Sequence, residues 1–345
     1  MKSSFRPTCA ADLNKLCEFL ARSFGVDSNA PFLSPAVMAW KYWDQRGDWS
    51  GPRSYVLEKD GAIVAHAGIW PMTLGSENPI RGVQMIDWAA AKESPGSGLS
   101  LVQKLAAMFD FIYSIGGSEA TRKVLPLFGF VEYRRQWMAA CPLQPLRQII
   151  THQTRTWKLA PRLVRNWLWS KGKGSTPYAN WKAIEIQPQQ ILRETYILNQ
   201  ADAGFSQRPP AFFEYLLRCR AARFSLYGIF DGGEAMGHFA ISMVRGQARI
   251  AGVWLRRSSP DTWAAAYYLA RQTASRLKGA YEIAVIGSDG FTREAAAKAG
   301  LQIMPGPSVY MLNKKRNAQL SAEFQFQLSD DDAAFLDSGG TSYWT

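Results

Sequence analysis

At 345 residues the chain is longer than one compact domain and comfortable for two. Apolar residues make up 47% and charged residues 20%, which excludes wholesale disorder and coiled coil, and no apolar run reaches the ~18–20 residues of a membrane span. Forty basic residues against 28 acidic give a net charge of +12, and the excess is uneven: no acid occurs between Glu132 and Glu185.

The opening Met1 to Pro7 lacks the apolar core of a secretory signal. Cys9, Cys17, Cys141 and Cys219 lie far apart without metal or redox spacing, which fits reduced thiols in a cytoplasm. Residues 12–24 place Leu13, Leu16, Cys17 and Leu20 at helical spacing, and Pro35 opens a second helical stretch through Ala36, Met38 and Trp40. Segments 53–57 and 63–70 flank Lys59, Asp60 and Gly61, a hairpin turn signal, and 83–91 reads as an apolar strand. The glycine-rich 95–98 precedes a helix through Leu99, Val102, Leu105 and Met108. A strand over 111–115, a short helix over 119–127 and a strand from Phe130 follow.

The same order then recurs: helix from Pro209, hairpin around Asp231, Gly232 and Gly233, strand 248–255, helix from Thr262, strand 281–286, helix from Thr292. Two matched stretches mark the repeat. Residues 115–130 align without gaps on 286–301, sharing Ile115/Ile286, Gly116/Gly287, Thr121-Arg122/Thr292-Arg293 and Gly129/Gly300. Residues 55–69 align on 227–241, sharing Tyr55/Tyr227, Gly61/Gly233, His66/His238 and Ile69/Ile241. Two matches in one order argue for a duplicated domain. Residues 142–184 belong to neither copy.

This order resembles the GNAT acyltransferase fold, doubled, with copies over roughly 5–140 and 190–312. The resemblance implies a mixed α/β class: two GNAT-like domains, each a mostly antiparallel twisted sheet flanked by helices. The expected organisation is an N-terminal domain over 1–141, a basic tryptophan-rich helical connector over 142–188, a C-terminal domain over 189–313 and a tail over 314–345. It also implies acyl transfer from acetyl-CoA or another acyl-CoA to an amine. The family binds the coenzyme where a strand meets Q/R-x-x-G-x-G/A at a helix start. Glycines there admit a pyrophosphate close to backbone N–H groups and the helix dipole. Here the element is Pro95, Gly96, Ser97, Gly98, Leu99 and Ser100, with Gly98 at the first required glycine and Ser100 replacing the second small residue; a bare structural turn is the alternative. The second copy has Ser259, Pro260, Asp261 and Thr262 instead, without either glycine, and Asp261 reads as an acidic helix cap.

Many relatives carry an Asn and a Tyr before the closing glycine. Ser118 falls at the Asn position and Leu125 at the Tyr position, with Asp289 and Ala296 in the second copy, so the usual proton donor is missing from both. The resemblance assigns the backbone around Ala89, Ala90 and Ala91 to the acyl carbonyl. For a base, Asp87 leads because it interrupts an apolar strand, where an acid is costly unless paired or used; Glu119 and Tyr113 are weaker alternatives. His66 and His238 fall at matched strand positions and read as structural. Trp40, Lys41, Tyr42 and Trp43 either line a groove or pack the core, and no metal-ligand cluster appears.

The basic segment has three readings. Residues 161–169 put Leu163, Val164, Trp167 and Leu168 on one face, and Leu146, Ile149 and Ile150 make an earlier one. The stretch 143–182 could contact an anionic membrane surface, attract nucleic acid or an anionic glycan, or pack between domains. Asp330, Asp331, Asp332 and Asp337 offer it an internal counter-charge. From that segment alone an amino sugar or cell-envelope precursor is the expected acceptor. Two other functions fit: a Fem-like transferase drawing its acyl group from a charged tRNA, and a binding protein that has kept the fold without the chemistry.

Overall fold

The computed structural model describes residues 3–74, 79–151, 159–172, 174–176, 178–192, 204–313, 324–336 and 343–345. In the first copy β1 (Ser3–Pro7), α1 (Leu13–Phe24) and α2 (Pro35–Tyr42) lead to the hairpin β2 (Ser54–Lys59) and β3 (Ala62–Leu74). Then come β4 (Ile80–Ala90), α3 (Ser97–Met108), β5 (Phe111–Ile115), α4 (Glu119–Val124) and β6 (Val131–Pro142). The hairpin turn uses Asp60 and Gly61, both at positive φ (52° and 82°), the geometry a tight two-residue turn needs.

The second copy runs through β7 (Trp181–Glu185), α7 (Pro210–Leu217), β8 (Arg223–Asp231), β9 (Glu234–Val244), β10 (Gln247–Leu255), α8 (Pro260–Arg276), β11 (Glu282–Gly287), α9 (Gly290–Lys298) and β12 (Gln302–Leu312). The segment assigned to neither copy supplies α5 (Pro145–Ile150), α6 (Leu159–Ser170) and β7. β7 pairs antiparallel with β8 as β1 pairs with β2, so this strand is the second copy's counterpart of β1.

The two copies share one 12-stranded sheet, ordered β1-β2-β3-β4-β5-β12-β6-β11-β10-β9-β8-β7. The last strands are exchanged: β12 pairs with β5 and β6 pairs with β11, while β6 and β12 pair with each other. The order is therefore a palindrome about the β6–β12 pair. Among the described strand pairs of the sheet, β4–β5 and β10–β11 are the parallel ones, and each is paired over just three residues at one end. Beyond those residues the two strands of each pair diverge. Each copy thus contains one splayed opening.

Aromatic side chains clamp the copies together. Trp40 of α2 stacks on Tyr215 of α7 at 4.9 Å, and Phe335 meets both Trp40 (4.9 Å) and Trp70 (5.0 Å). Trp40 Nε1 donates to the Tyr215 carbonyl at 3.1 Å and Tyr215 Oη donates to the Trp40 carbonyl at 2.7 Å. Buried indoles and phenols need such partners. The C-terminal stretch lies in this junction: Arg208 and Asp330 form an ion pair at 2.5 Å with both side chains fully buried. The expected counter-charge to the basic segment is therefore not what these acids provide. Asp330 answers Arg208, Asp331 Oδ1 accepts from Gln84 Nε2 at 2.9 Å, and Asp337 lies outside the described residues.

Candidate active site at the β4 bulge

Opposite His66 and Gly68 of β3 the register of β4 shifts, with Ile86 facing Gly68 and Ala89 facing His66. The extra residue is a bulge, and Asp87 within it has φ 47°. A non-glycine residue there is strained and needs its surroundings to hold it. His66 does so. Its Nδ1 lies 2.9 Å from the Asp87 carbonyl, which can only accept, so Nδ1 carries the proton and Nε2 accepts from Ser54 Oγ at 2.9 Å. Burial pushes the imidazole down to about 4, although the Asp87 carbonyl and carboxylate favour its charge. It is neutral and structural at neutral pH.

The Asp87 carboxylate turns toward α2. Lys41 Nζ and Tyr42 Oη both reach Oδ2 at 2.5 Å, and the Lys41 side chain is 1% exposed. Burial works to raise the acid, but the Lys41 ammonium and the two hydrogen bonds outweigh it and hold the carboxyl below its ordinary value. Tyr42 is pushed well up, by burial first and then by Asp87. Asp332 of the C-terminal stretch is also raised well above its ordinary value, by burial and then by the charges of Asp331 and Asp87. Beside this cluster lies a cavity of about 320 Å³, lined by Phe32, Val37, Lys41, Arg220, Phe335 and Leu336 among others. A larger open groove of about 680 Å³ crosses the loop after α2 and has Tyr42 in its lining; Lys41 lines the smaller cavity, and Asp87 itself lines neither.

On the other face α3 begins. Gly96 caps it at φ 83°, and Pro95 stands outside the helix. Gly98 presses on β4: a Cβ there would lie 3.1 Å from Ala90 Cβ and 3.3 Å from the Trp88 ring. Ser97 Oγ is occupied with the Val64 carbonyl at 3.0 Å, and the Ser100 N–H is taken by Gly96. The N–H groups of Gly98 and Leu99 have no hydrogen bond among the described residues. Ala91 N–H is already bound to Val64 O at 2.8 Å. Strand alternation therefore turns the N–H groups of Ala90 and Trp88 toward the β4–β5 opening, and that of Ala89 toward β3. Trp88 itself meets Phe128 edge-on at 5.6 Å, and its buried Nε1 has no partner among the described residues.

The other candidates stand apart. Ser118 caps α4, its Oγ accepting from Thr121 N at 3.1 Å. Asp289 does the same for Thr292 in α9 at 2.7 Å. Glu119 is 74% exposed and pairs with Lys123. Tyr113 is fully buried and donates to the Asp330 carbonyl at 2.6 Å. Leu125 is core. Sequence reasoning placed Lys41 and Tyr42 as groove lining or core packing and missed their bond to Asp87. The available signal was a lysine inside an aromatic run, since a buried ammonium demands an acid.

The second copy differs at the bulge, at the strand opening and at the helix start. Aligning the two registers through His66/Ala89 and His238/Trp254 puts Gly252 at the Asp87 position and Val253 at the Trp88 position. His238 stacks on Trp254 at 5.0 Å. Gln327 Oε1 accepts from Val253 N at 2.6 Å, and Ser288 Oγ accepts from Phe326 N at 2.8 Å. A stretch of the C-terminal segment thus occupies the β10–β11 opening. Ser259, not Asp261, caps α8; Asp261 sits in the first turn, 3.6 Å from Lys298.

No protein-family model and no curated protein sequence matches the chain. Solved structures do. A GCN5-related N-acetyltransferase from Anabaena variabilis superposes with TM-score 0.58 at 12% identity, covering 90% of this chain and 73% of that one. One from Kribbella flavida gives 0.55 at 12%, covering 93% and 74%. Saccharomyces cerevisiae N-myristoyltransferase, solved with bound myristoyl-CoA, gives 0.54 at 10%, covering 90% and 80%. The chain therefore has the fold of the GCN5-related N-acetyltransferases. Its palindromic sheet makes it a tandem form of that fold, with its final strands exchanged.

Proposed function

We propose that the chain is an acyl-CoA-dependent N-acyltransferase working through its first copy. The observation that carries this reading is the β4 bulge. It puts an ionised, paired carboxylate on one face of a splayed strand pair, and outward backbone N–H groups and an open helix start on the other. Gly98 and Leu99 N–H groups at the start of α3 would receive the diphosphate. The N–H groups of Trp88 and Ala90 would polarise the thioester carbonyl, and the orphaned Trp88 Nε1 would gain an acceptor. The acceptor amine would enter through the 320 Å³ cavity. Its apolar walls, with Lys41 at the floor and exposed Arg220 at the rim, suit an apolar amine bearing an anionic group better than a sugar. As the nitrogen attacks, the C–N bond forms, the C–S bond breaks and CoA leaves as the thiol or thiolate. Asp87 takes the amine proton. Lys41 and Tyr42 are positioning residues that hold its carboxylate.

One observation favours a second reading, a binding protein without turnover: the Trp88 and Phe128 rings meet across the face on which the coenzyme would lie. Single-turnover acyl transfer from radiolabelled acetyl-CoA to a panel of amines separates the two. Transfer by the wild type that Asp87→Asn removes, with acetyl-CoA affinity kept, supports the enzyme. Binding without transfer to any amine supports the second reading.

A further inference from the structure

We propose that the paired helices α5 and α6 form a docking face for an anionic lipid bilayer surface. The inference is independent of the acyltransferase reading. The helix pair is polar inside and apolar outside. Gln148 Nε2 donates to Glu282 Oε2 at 2.9 Å, and Asn166 Nδ2 donates to Gln148 Oε1 at 3.0 Å. Those three side chains fill the inward seam, all at 1% exposure or less. Leu146 and Ile150 lie two positions either side of Gln148, and Val164 and Leu168 two either side of Asn166. At about 100° per residue each is turned to the opposite side of its helix. They stand exposed at 66%, 69%, 60% and 58%, with Trp167 at 50%. Ordinary packing leaves such groups scattered singly; a contiguous apolar face marks an interaction surface.

Charge selects the occupant. Arg147, Arg165 and Lys171 border this face, with Lys171 Nζ 3.9 Å from the Trp167 ring and Arg165 4.4 Å from that of Trp169. No acid occurs in the sequence from Tyr133 to Ile184. A second copy of this chain would bring like charges together, and a nucleic acid would leave the apolar side chains in water. A bilayer with acidic headgroups takes up both: aliphatic groups and tryptophan enter the headgroup boundary while the cations meet phosphates.

Vesicle co-sedimentation tests this, using phosphatidylcholine alone and phosphatidylcholine mixed with phosphatidylglycerol, at low and high salt. The wild type should pellet with the mixed vesicles at low salt and be released at high salt. Arg147→Gln, Arg165→Gln and Lys171→Gln should each weaken binding about fivefold, and Ile150→Glu with Leu168→Glu should abolish it. All five positions are exposed, so an unchanged unfolding temperature certifies the fold. Failure to pellet at low salt overturns the proposal, as does full binding by the double glutamate variant. So does a wild type that ignores vesicles while the same variant dissociates a dimer, or while the chain shifts a labelled RNA.

Discussion

The two copies of one fold differ most where they are most alike. Both splay a parallel strand pair, both cap the following helix, and both set a buried histidine on the neighbouring strand. In the first copy the divergence leaves outward N–H groups, with Asp87, Lys41 and Tyr42 behind them. In the second, Gln327 already accepts the hydrogen bond of Val253, the counterpart of Trp88. Gly252 stands where the acid would be, and a Cβ there would lie 2.3 Å from the Trp254 ring. Duplication thus kept the scaffold twice and the polar site once. The second copy serves by packing: Arg220 and Ala221, just after α7, and Phe335 and Leu336 of the C-terminal extension wall the cavity of the first.

That contrast can be broken or sharpened by experiment. The largest effect is expected at Asp87. Asp87→Asn should lower acyl transfer at least ~10²-fold, the usual scale for losing a positioned proton acceptor, with acyl-CoA affinity unchanged in equilibrium dialysis. Placing an acid in the other copy, Gly252→Asp, should destabilise the fold and confer no second activity. Next is the pair that anchors the extension. Arg208→Ala leaves Asp330 charged and buried, and should cost about 3–5 kcal/mol in urea unfolding. Asp330→Asn leaves the Arg208 guanidinium buried without its counter-charge and should cost a similar amount.

The buried histidines predict a pH dependence of similar size. Both are pushed down from 6.5, His66 to about 4 and His238 to about 3, chiefly by burial. The unfolded chain binds their protons first. Stability should therefore be complete above about pH 6.5 and fall as pH drops from there toward 4, His66 alone contributing on the order of 3 kcal/mol. His66→Gln should flatten that slope in chemical unfolding across pH; an unaltered slope would show that His66 is not the group. Gln327→Ala strands the Val253 N–H and should cost about 1–3 kcal/mol without opening a second coenzyme site. Smallest of all, Glu119→Ala breaks only an exposed pair and should leave both stability and activity within error.

Most element positions follow from the chain itself, because the periods of 3.6 and 2 and the Gly-bearing turns are local signals. The strand 111–115 and the helix opening at Pro35 fall where spacing puts them. The exchange of β6 and β12 was invisible. Both close a repeat, and which partner each pairs with is decided by contacts far apart in sequence. β7 was hidden for a related reason: five residues with one lysine, one glutamate and the exposed outer face of an edge strand look like the connector around them. At the site, Asp87 could be singled out as an acid in an apolar strand. Its partners could not, since Lys41 and Tyr42 meet it only once α2 crosses the β4 bulge. The C-terminal acids misled because charge alone suggested a basic partner in the middle of the chain, whereas burial had assigned Asp330 to Arg208.

Isothermal titration of acetyl-CoA into the wild type and Gly98→Glu tests the central contrast most directly. One site per chain, lost in Gly98→Glu, is the expected result; it should raise wild-type stability by ~2.7 kcal/mol at 100 times the dissociation constant. Two sites per chain, or one that survives Gly98→Glu, would contradict the division of labour between the copies.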